Sequence, residues 1–289
     1  MKIHLVDGTY ELFRAHFGAP PKKSASGQEV GATLGLVRSL LMMLQSPQVT
    51  HVAVAFDHVI ESFRNKMYAG YKSSAGVDPI ILNQFELAEK AVSALGMVVW
   101  PMVKFEADDA IATAVAKFKK DKSVSQVVIC SVDKDLTQMV DGKKVICWDR
   151  SREIFLDEKG VVEKFGVKPE SSPDYLALVG DSADGYPGIQ GWGAKSTSTV
   201  LAKFKHIESI PKDPKKLPLS LGRATTLLEN LQANYQDALL FRELSTLRQD
   251  VPLKESLKDL EWKGVYPRLK KVCEELRDER IPERVTKWR

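Results

Sequence analysis

The first half of the chain alternates short apolar runs with longer helical patterns, and this alternation restricts the fold more than any other feature of the sequence. Ile3–Val6, His51–Phe56, Met97–Trp100, Gln126–Ser131 and Lys143–Trp148 are short, rich in Val and Ile, and bounded by polar or turn residues, as strands are. Helical patterns lie between them, over Val30–Gln45, Pro79–Leu95 and Ala107–Lys119. Strands that alternate with helices predict an α/β fold: a parallel sheet flanked by helices and joined by right-handed crossovers. After about residue 165 the strand signals stop and Gly, Pro and Lys become frequent. Short helices are expected at Pro173–Gly180, Lys195–Phe204, Arg223–Asn230 and Ala233–Ser245, with a lysine- and proline-rich surface loop over Pro211–Pro218. The expected division is an α/β domain over 1–165, a helical region over 166–250, and a tail over 251–289 to which the sequence assigns no role.

In an open parallel sheet, sites form beyond the carboxyl ends of the strands. Acids sit at those ends here. Asp7 follows IHLV, Asp57 follows VAVAF, and Asp133 and Asp135 follow VVICSV. Glu106, Asp108 and Asp109 open a helix pattern, where the plain reading is capping. Asp181 and Asp184 are three residues apart, a spacing that puts both on one side of a helical turn. Any one of these could be a turn or cap residue. Nine carboxylates expected on one rim would repel strongly without cations. Hard divalent cations with oxygen ligands answer that need, and no His or Cys cluster competes for a softer metal. A pair of Mg²⁺ ions, with Mn²⁺ as a substitute, is the usual device for phosphodiester cleavage.

The segment Tyr186–Thr197 is rich in glycine. Gly188 and Gly193 have P-loop spacing, but Ala194 separates Gly193 from Lys195 and no buried strand precedes the turn, so nucleotide binding of that type is excluded. A tight helix–hairpin–helix fits better. Gly188, Gly191 and Gly193 let the backbone approach a phosphate, the next helix start offers free N–H groups, and Lys195, Ser196 and Thr197 add charge and hydroxyls. Such a device grips a nucleic-acid backbone without reading bases. Its plain alternative is a helical turn with glycine caps. Between Asp57 and Pro79, Arg64, Lys66 and Lys72 interleave with Phe63, Tyr68 and Tyr71. Aromatics can stack on unpaired bases while cations hold phosphates; the plain alternative is a surface helix with buried tyrosines. Arg14, close after Asp7, is a further candidate for the same rim.

Five segments together, LVDGTYELFRAHFG, FDHVIESFRNKMYAGYKS, EADDAIAT, SVDKDLTQMV and LVGDSADGYPGIQGWGAKST, resemble the 5′-nuclease family: the 5′→3′ exonuclease domain of bacterial DNA polymerase I, phage 5′-nucleases and flap endonucleases. The resemblance runs from Met1 to about Asp250. It implies a PIN-like α/β core and a C-terminal helix–three-turn–helix that grips duplex DNA. It also implies two-metal hydrolysis at a single-strand/double-strand junction, on 5′-flap, nicked or gapped DNA, in replication and repair. By the same resemblance Glu106, Asp108, Asp133 and Asp135 serve the first metal, with Asp7 and Asp57 close by, and Asp109, Asp181 and Asp184 serve the second. Arg64 and Lys72 match basic residues that contact the scissile phosphate, and Tyr71 matches a stacking aromatic. Gly188, Gly191, Gly193 and Lys195 match the hairpin, which in relatives binds K⁺ through carbonyls. A separate DNA polymerase is an implied partner. The sequence departs from the family at Ser73-Ser74-Ala75, where an Arg three residues beyond the Lys is usual, and at Asp184-Gly185, where Asp-Asn is commoner.

A structure-selective 5′→3′ exonuclease and flap endonuclease is therefore expected. A catalytically weak branched-DNA-binding module is the alternative, resting on the absent Arg. An Asp-nucleophile phosphatase wants a second Asp two residues after Asp7, where the chain has Thr9. No apolar run approaches the roughly 18 residues of a membrane span. The start, MKIHLVDG, enters a strand at once, and three scattered cysteines fit a reducing compartment, so a cytoplasmic (if bacterial, nucleoid-associated) protein without a membrane partner is expected. The formal charge of +4 is mild for a nucleic-acid binder, but without the nine carboxylates the rest of the chain carries +13. DNA binding is expected to weaken as salt rises.

Overall fold

The computed structural model describes residues 1–289. It resolves into two compact units: Met1–Ser62 with Ser73–Ser131 and Arg248–Arg289, and Phe63–Lys72 with Val132–Leu247. No helix is long and apolar enough to cross a membrane.

The first unit runs β1 (Lys2–Asp7), α1 (Gly8–Gly18), α2 (Gly31–Leu44), β2 (His51–Asp57), α3 (Pro79–Leu82), α4 (Phe85–Ala94), β3 (Val98–Met102), α5 (Ala107–Phe118) and β4 (Gln126–Cys130). β1 pairs in parallel with both β2 and β4, and β2 with β3. Val52–Phe56 have no solvent exposure at all, as expected of a strand covered on both faces. The register sets Asp7 opposite Ala55, Asp57 opposite Met102 and Val6 opposite Cys130, so the strands end together. Parallel pairing thus brings Asp7 and Asp57 to one edge of the sheet.

The tail that the sequence left without a role is part of this unit's core. Leu260, Val265, Leu269, Val272 and Ile281 are buried. Trp262 N–H donates to the Thr50 carbonyl at 2.8 Å, and Tyr266 N–H to the Ala94 carbonyl at 2.9 Å. At Gly96 (φ 84°) a Cβ would lie 2.1 Å from the Gly264 carbonyl, so only glycine admits this approach.

The second unit contains β5 (Val145–Asp149), β6 (Ile154–Leu156), α6 (Glu158–Phe165), α7 (Ser172–Val179), α8 (Ala194–Phe204), α9 (Leu221–Ala233) and α10 (Tyr235–Ser245). Its core gathers Leu176, Leu178, Tyr186, Ile189, Trp192, Leu201, Leu227, Phe241 and Leu244. Full burial of each large apolar side chain stabilises by about 1.5–3 kcal/mol. Asp174, 2% exposed, accepts from Ile207 N–H at 3.0 Å and pairs with His206 at 3.0 Å and Arg242 at 3.4 Å, tying α7 to the exit of α8 and to α10.

Several elements differ from the sequence reading, α6 and the helix Leu269–Glu275 among them, for which no helix is expected. The helix expected over Pro79–Leu95 is two, because buried Gln84 turns its amide to the Ile80 carbonyl and to Thr33 of α2. β6 runs antiparallel to β5: Asp149 Oδ1 accepts from Ser151 N–H and Arg152 N–H, and this short Asx turn reverses the chain. Helix α1 is a further element absent from the sequence reading; it starts at Gly8, where a Cβ would sit 2.6 Å from the Phe56 ring.

Cys130, Cys147 and Cys273 are free and buried. Burial, then Asp278 and Glu274, pushes the Cys273 thiol up to about 11. The native protein is expected to show no fast-reacting thiol toward a colorimetric disulfide reagent at neutral pH, and all three only after denaturation. Rapid reaction of any one in the native state would contradict this packing.

Candidate active site

The first unit presents five of the candidate carboxylates on elements that fix them. Asp7 ends β1 and caps α1, with Oδ1 accepting from Tyr10 N–H at 2.8 Å and Oδ2 from the buried Ser131 hydroxyl at 2.8 Å. Asp57 ends β2; its N–H donates to the Thr9 hydroxyl at 2.7 Å, and its Oδ1 accepts from Ala107 N–H at 2.8 Å. Glu106 precedes α5, 3% exposed, and accepts from the Ser62 hydroxyl at 2.7 Å. Asp108 is half-buried in the first turn of α5. Asp109 has no exposure, and both its oxygens accept main-chain N–H groups, from Glu106 at 3.0 Å and Arg248 at 2.9 Å. Glu106 and Asp109 form the capping box of α5, and Asp57 accepts the first N–H of that helix; the bonds from Arg248 N–H to Asp109 and from the Ser62 hydroxyl to Glu106 go beyond capping.

The second unit brings three more together. Asp135, Asp181 and Asp184 are buried, with carboxylate oxygens within 4.8 Å of one another. At that separation each pair repels by about 3–4 kcal/mol at an effective dielectric near 20. Two lysines oppose the repulsion. Lys134 Nζ lies 2.6 Å from Asp181, and Lys72 Nζ 3.0 Å from Asp184. Burial works against the Lys134 ammonium, but Asp181, Asp133 and Asp135 hold its pKa above the ordinary value. Burial pushes the Asp135 carboxyl well above the usual range, and Asp133, Asp184 and Asp181 push it further, against the pull of Lys72. Asp133 is raised by desolvation and then by Asp184 and Asp181, against the Asp135 N–H and Lys72. The Asp133 residue is nevertheless exposed, so water screens it and the larger effect falls on Asp135.

Asp135 Oδ1 is buried and has no hydrogen-bond partner. A buried, unpaired carboxylate oxygen among two further carboxylates, with no nitrogen or sulfur donor in the group, fits a hard divalent cation. Tyr186 lies beside it, 1% exposed and stacked on Phe241 at 5.5 Å. Burial and the three aspartates raise its phenol, so it stays protonated.

The turn that carries Asp181 and Asp184 explains one departure in the sequence. Asp181 N–H bonds to the Tyr186 carbonyl at 2.9 Å, and Tyr186 N–H returns to Asp181. Gly185 has φ 86°, and a Cβ there would meet the Gly70 carbonyl at 2.2 Å. Glycine lets the 70–72 segment approach, and Lys72 N–H then donates to the Asp184 carbonyl at 2.9 Å. At the other departure, Ser74 N–H and hydroxyl both donate to Glu61 at 2.8 and 2.5 Å. The serine that stands near the usual Arg therefore ties down the loop.

The remaining candidates are placed as follows. Arg64 is 1% exposed, and its guanidinium donates to the Leu244 and Thr246 carbonyls at 2.7 and 3.2 Å, closing the carbonyl end of α10. Tyr71 is 4% exposed. Lys66 is exposed. Arg14 pairs with the buried Glu11 and donates to Ser39 at 3.0 Å. Ser196 is buried and donates to the Gly193 carbonyl at 3.1 Å, whereas Lys195 is exposed at the start of α8. Gly188 (φ 72°) packs on Gly180, where a Cβ would meet backbone at 2.4 Å; Gly191 and Gly193 are exposed. Sequence reasoning missed Ser62, Ser131, Thr9, Lys134 and Tyr186. Lys134 could have been found, since it stands between two candidate ligands.

A family model described as 5′-3′ exonuclease, N-terminal resolvase-like domain, matches residues 2–166, and one described as 5′-3′ exonuclease, C-terminal SAM fold, matches 167–268. The chain belongs to the 5′-3′ exonuclease family. It is 31% identical over 281 residues to the 5′-3′ exonuclease of Aquifex aeolicus, covering 93% of this chain and 96% of that one. It is 35% identical over 269 residues to DNA polymerase I of Pseudomonas aeruginosa, covering 91% of this chain but 28% of the polymerase. The chain thus spans little more than a quarter of that relative. Among solved structures, the phage T5 flap endonuclease in a complex with DNA and metal ions matches 96% of this chain and all of that one, with a TM-score of 0.67 at 19% identity. The catalytic core of Rad2 with a DNA substrate matches 98% and 90%, with a TM-score of 0.62 at 15% identity. These place the fold among 5′ nucleases: a sheet with parallel strands flanked by helices, followed by a helical region.

Two outcomes follow. Gly185→Asn, which restores the family's commoner residue, is expected to destabilise this chain by at least ~1–3 kcal/mol in thermal or urea unfolding, from the strained φ and the clash. A neutral effect would contradict the close approach of the 70–72 segment. A carboxyl raised in the folded state favours folding only while protonated. The contribution of Asp135 is therefore fully present below its ordinary value of 3.8 and is lost as pH rises through its raised range. Metal-free Asp135→Asn is expected to lose less stability than the parent as pH rises, read from urea midpoints; parallel curves would contradict the repulsion.

Proposed function

We propose that the chain is a structure-selective, metal-dependent 5′→3′ exonuclease and flap endonuclease. Its substrate would be DNA with a single-strand/double-strand junction: a 5′-flap, nicked or gapped duplex. The observation that carries this reading is the buried triad of Asp135, Asp181 and Asp184, with an unpaired carboxylate oxygen, in a member of the 5′-3′ exonuclease family.

The proposed ligands of two divalent ions are Asp7, Asp57, Glu106, Asp108 and Asp109 in the first unit, and Asp133, Asp135, Asp181 and Asp184 in the second. Asp109 acts mainly by holding the start of α5, since main-chain groups occupy both its oxygens. Mg²⁺ is the proposed ion, with Mn²⁺ as a substitute; when bound, it supplies a low-pKa water and positive charge toward the phosphate. Lys72 and Lys134 neutralise the aspartates when the metal is absent. With a divalent ion bound among the aspartates, Lys72 would be placed to hold the phosphate. Arg64 positions that segment by anchoring it to the end of α10. The exposed Lys195 and the free N–H groups at the start of α8 grip a backbone phosphate. A K⁺ site on the hairpin is part of the same reading, and the buried, partnerless Thr197 hydroxyl is an available oxygen there. Residues 1–165 would form the catalytic domain and 166–250 the DNA-gripping region. The proposed setting is cytoplasmic replication and repair beside a separate DNA polymerase.

The test is a 5′-flap duplex with Mg²⁺. Cleavage near the junction, a 5′-phosphate product and arrest by EDTA are expected; no cleavage with Mg²⁺ or Mn²⁺ would overturn the reading. Asp135→Asn or Asp57→Asn is expected to slow cleavage at least ~100-fold while DNA binding is retained. Equal loss of binding would count against metal ligation.

A further inference from the structure

The first unit carries a second concentration of charge, where the end of the chain returns onto α2. Arg277 turns the chain with φ 53° after the helix Leu269–Glu275. Lys22 Nζ donates to the Arg277 carbonyl at 2.8 Å, and Gln45 Nε2 to the Arg284 carbonyl at 3.4 Å, so the turn is fastened at both ends. Ile281, 1% exposed, anchors its middle. The result is a cleft of about 350 Å³ lined by Arg38 of α2 and by Asp278, Arg280, Ile281 and Arg284.

Asp278 lies at its base, 4% exposed. Its carboxylate pairs with Arg38 on Oδ2 and accepts Arg280 Nε on Oδ1 at 3.3 Å. Burial pushes this carboxyl up, but Arg38 and Arg280 outweigh it and hold it below the ordinary range, so it is ionised. Three guanidinium groups against one carboxylate leave the cleft with a net charge of +2. A structural ion pair accounts for Arg38. Arg280 shares that carboxylate through Nε alone, with its side chain 78% exposed, and Arg284 is exposed and makes no ion pair. Like charges gathered around a cleft oppose folding unless an anion is met there. The planar fork of a guanidinium matches phosphate oxygens in pairs, as an ammonium does not. None of the proposed metal ligands lines this cleft.

We propose that Arg38, Arg280 and Arg284 form a phosphate-binding cleft that takes one backbone phosphodiester of bound DNA, remote from the bond being cut. This rests on the nuclease reading above. Asp278 fixes the Arg38 fork, and Arg280 and Arg284 close on the phosphate from solvent.

The test compares the parent chain with Arg280→Ala/Arg284→Ala by fluorescence anisotropy on a labelled 5′-flap duplex, without divalent metal, across a salt series. The variant keeps the Arg38–Asp278 pair, and thermal unfolding checks that it folds; Arg284→Ala alone, which removes no ion pair, is the fallback. The expected result is weaker binding to every flap sequence alike, with the slope of log affinity against log salt shallower by about 1, the loss of one phosphate contact. Arg284→Glu is expected to weaken binding further. An unchanged slope in a protein whose parent binds and cleaves flap DNA overturns the inference and leaves the nuclease reading standing. A parent that neither binds nor cleaves the duplex overturns the reading itself. Inorganic phosphate and a 5′-mononucleotide, titrated while arginine Nε–H resonances are followed, separate the sources. Saturable shifts in the cleft with an unchanged DNA slope would assign it to free phosphate and overturn the DNA proposal.

Discussion

Three carboxylates buried within 4.8 Å of one another cannot all ionise comfortably, and the second unit is built around that constraint. The fold could have avoided it by exposing the groups or replacing them with amides. Instead it keeps Asp135, Asp181 and Asp184 buried and supplies two ammonium groups, one from Lys134 and one from Lys72. Lys72 reaches Asp184 because Gly185 has no Cβ, and the turn is closed by main-chain bonds between Asp181 and Tyr186. Each feature serves to hold negative charge in place. A structure held under such repulsion is prepared for a cation, and its lysines are the counter-charges of the metal-free state.

The first unit manages its carboxylates differently. Asp7, Asp57, Glu106 and Asp109 each accept a hydrogen bond from a hydroxyl or a main-chain N–H. Those bonds orient the groups without neutralising them. The parallel register sets Asp7 and Asp57 at the same sheet edge, and the capping box of Glu106 and Asp109 fixes the start of α5. Structural bonding and ligand positioning are the same interactions here.

Much of this was legible in the sequence. Alternating strands and helices give the parallel order, and parallel order forces the acids that end β1 and β2 to one edge. What escaped depends on contacts distant in the chain or on the absence of an atom. The burial of Arg64 depends on carbonyls 180 residues later. Helix α1 starts at Gly8, where the absent Cβ leaves room for the Phe56 ring. Lys134 stands between two aspartates, and its role shows only in its contact with Asp181, 47 residues on. The role of Gly185 needed the position of Gly70, which no local pattern encodes. The tail from Lys254 onward has weak periodicity because short turns and backbone bonds, not a long amphipathic helix, fasten it to the first unit.

On the proposed reading, the triad repels itself until a divalent ion is bound. Thermal unfolding with and without Mg²⁺ tests this without reference to activity. On the proposed reading Mg²⁺ raises the midpoint of the parent protein, as an ion that prefers the folded state does. Asp135→Asn should raise the midpoint of the metal-free protein, by removing one of the repelling charges, and should reduce the Mg²⁺-induced rise. If Asp135→Asn instead destabilises the metal-free protein and leaves the Mg²⁺ effect intact, the triad is a structural hydrogen-bonding element and not a metal site.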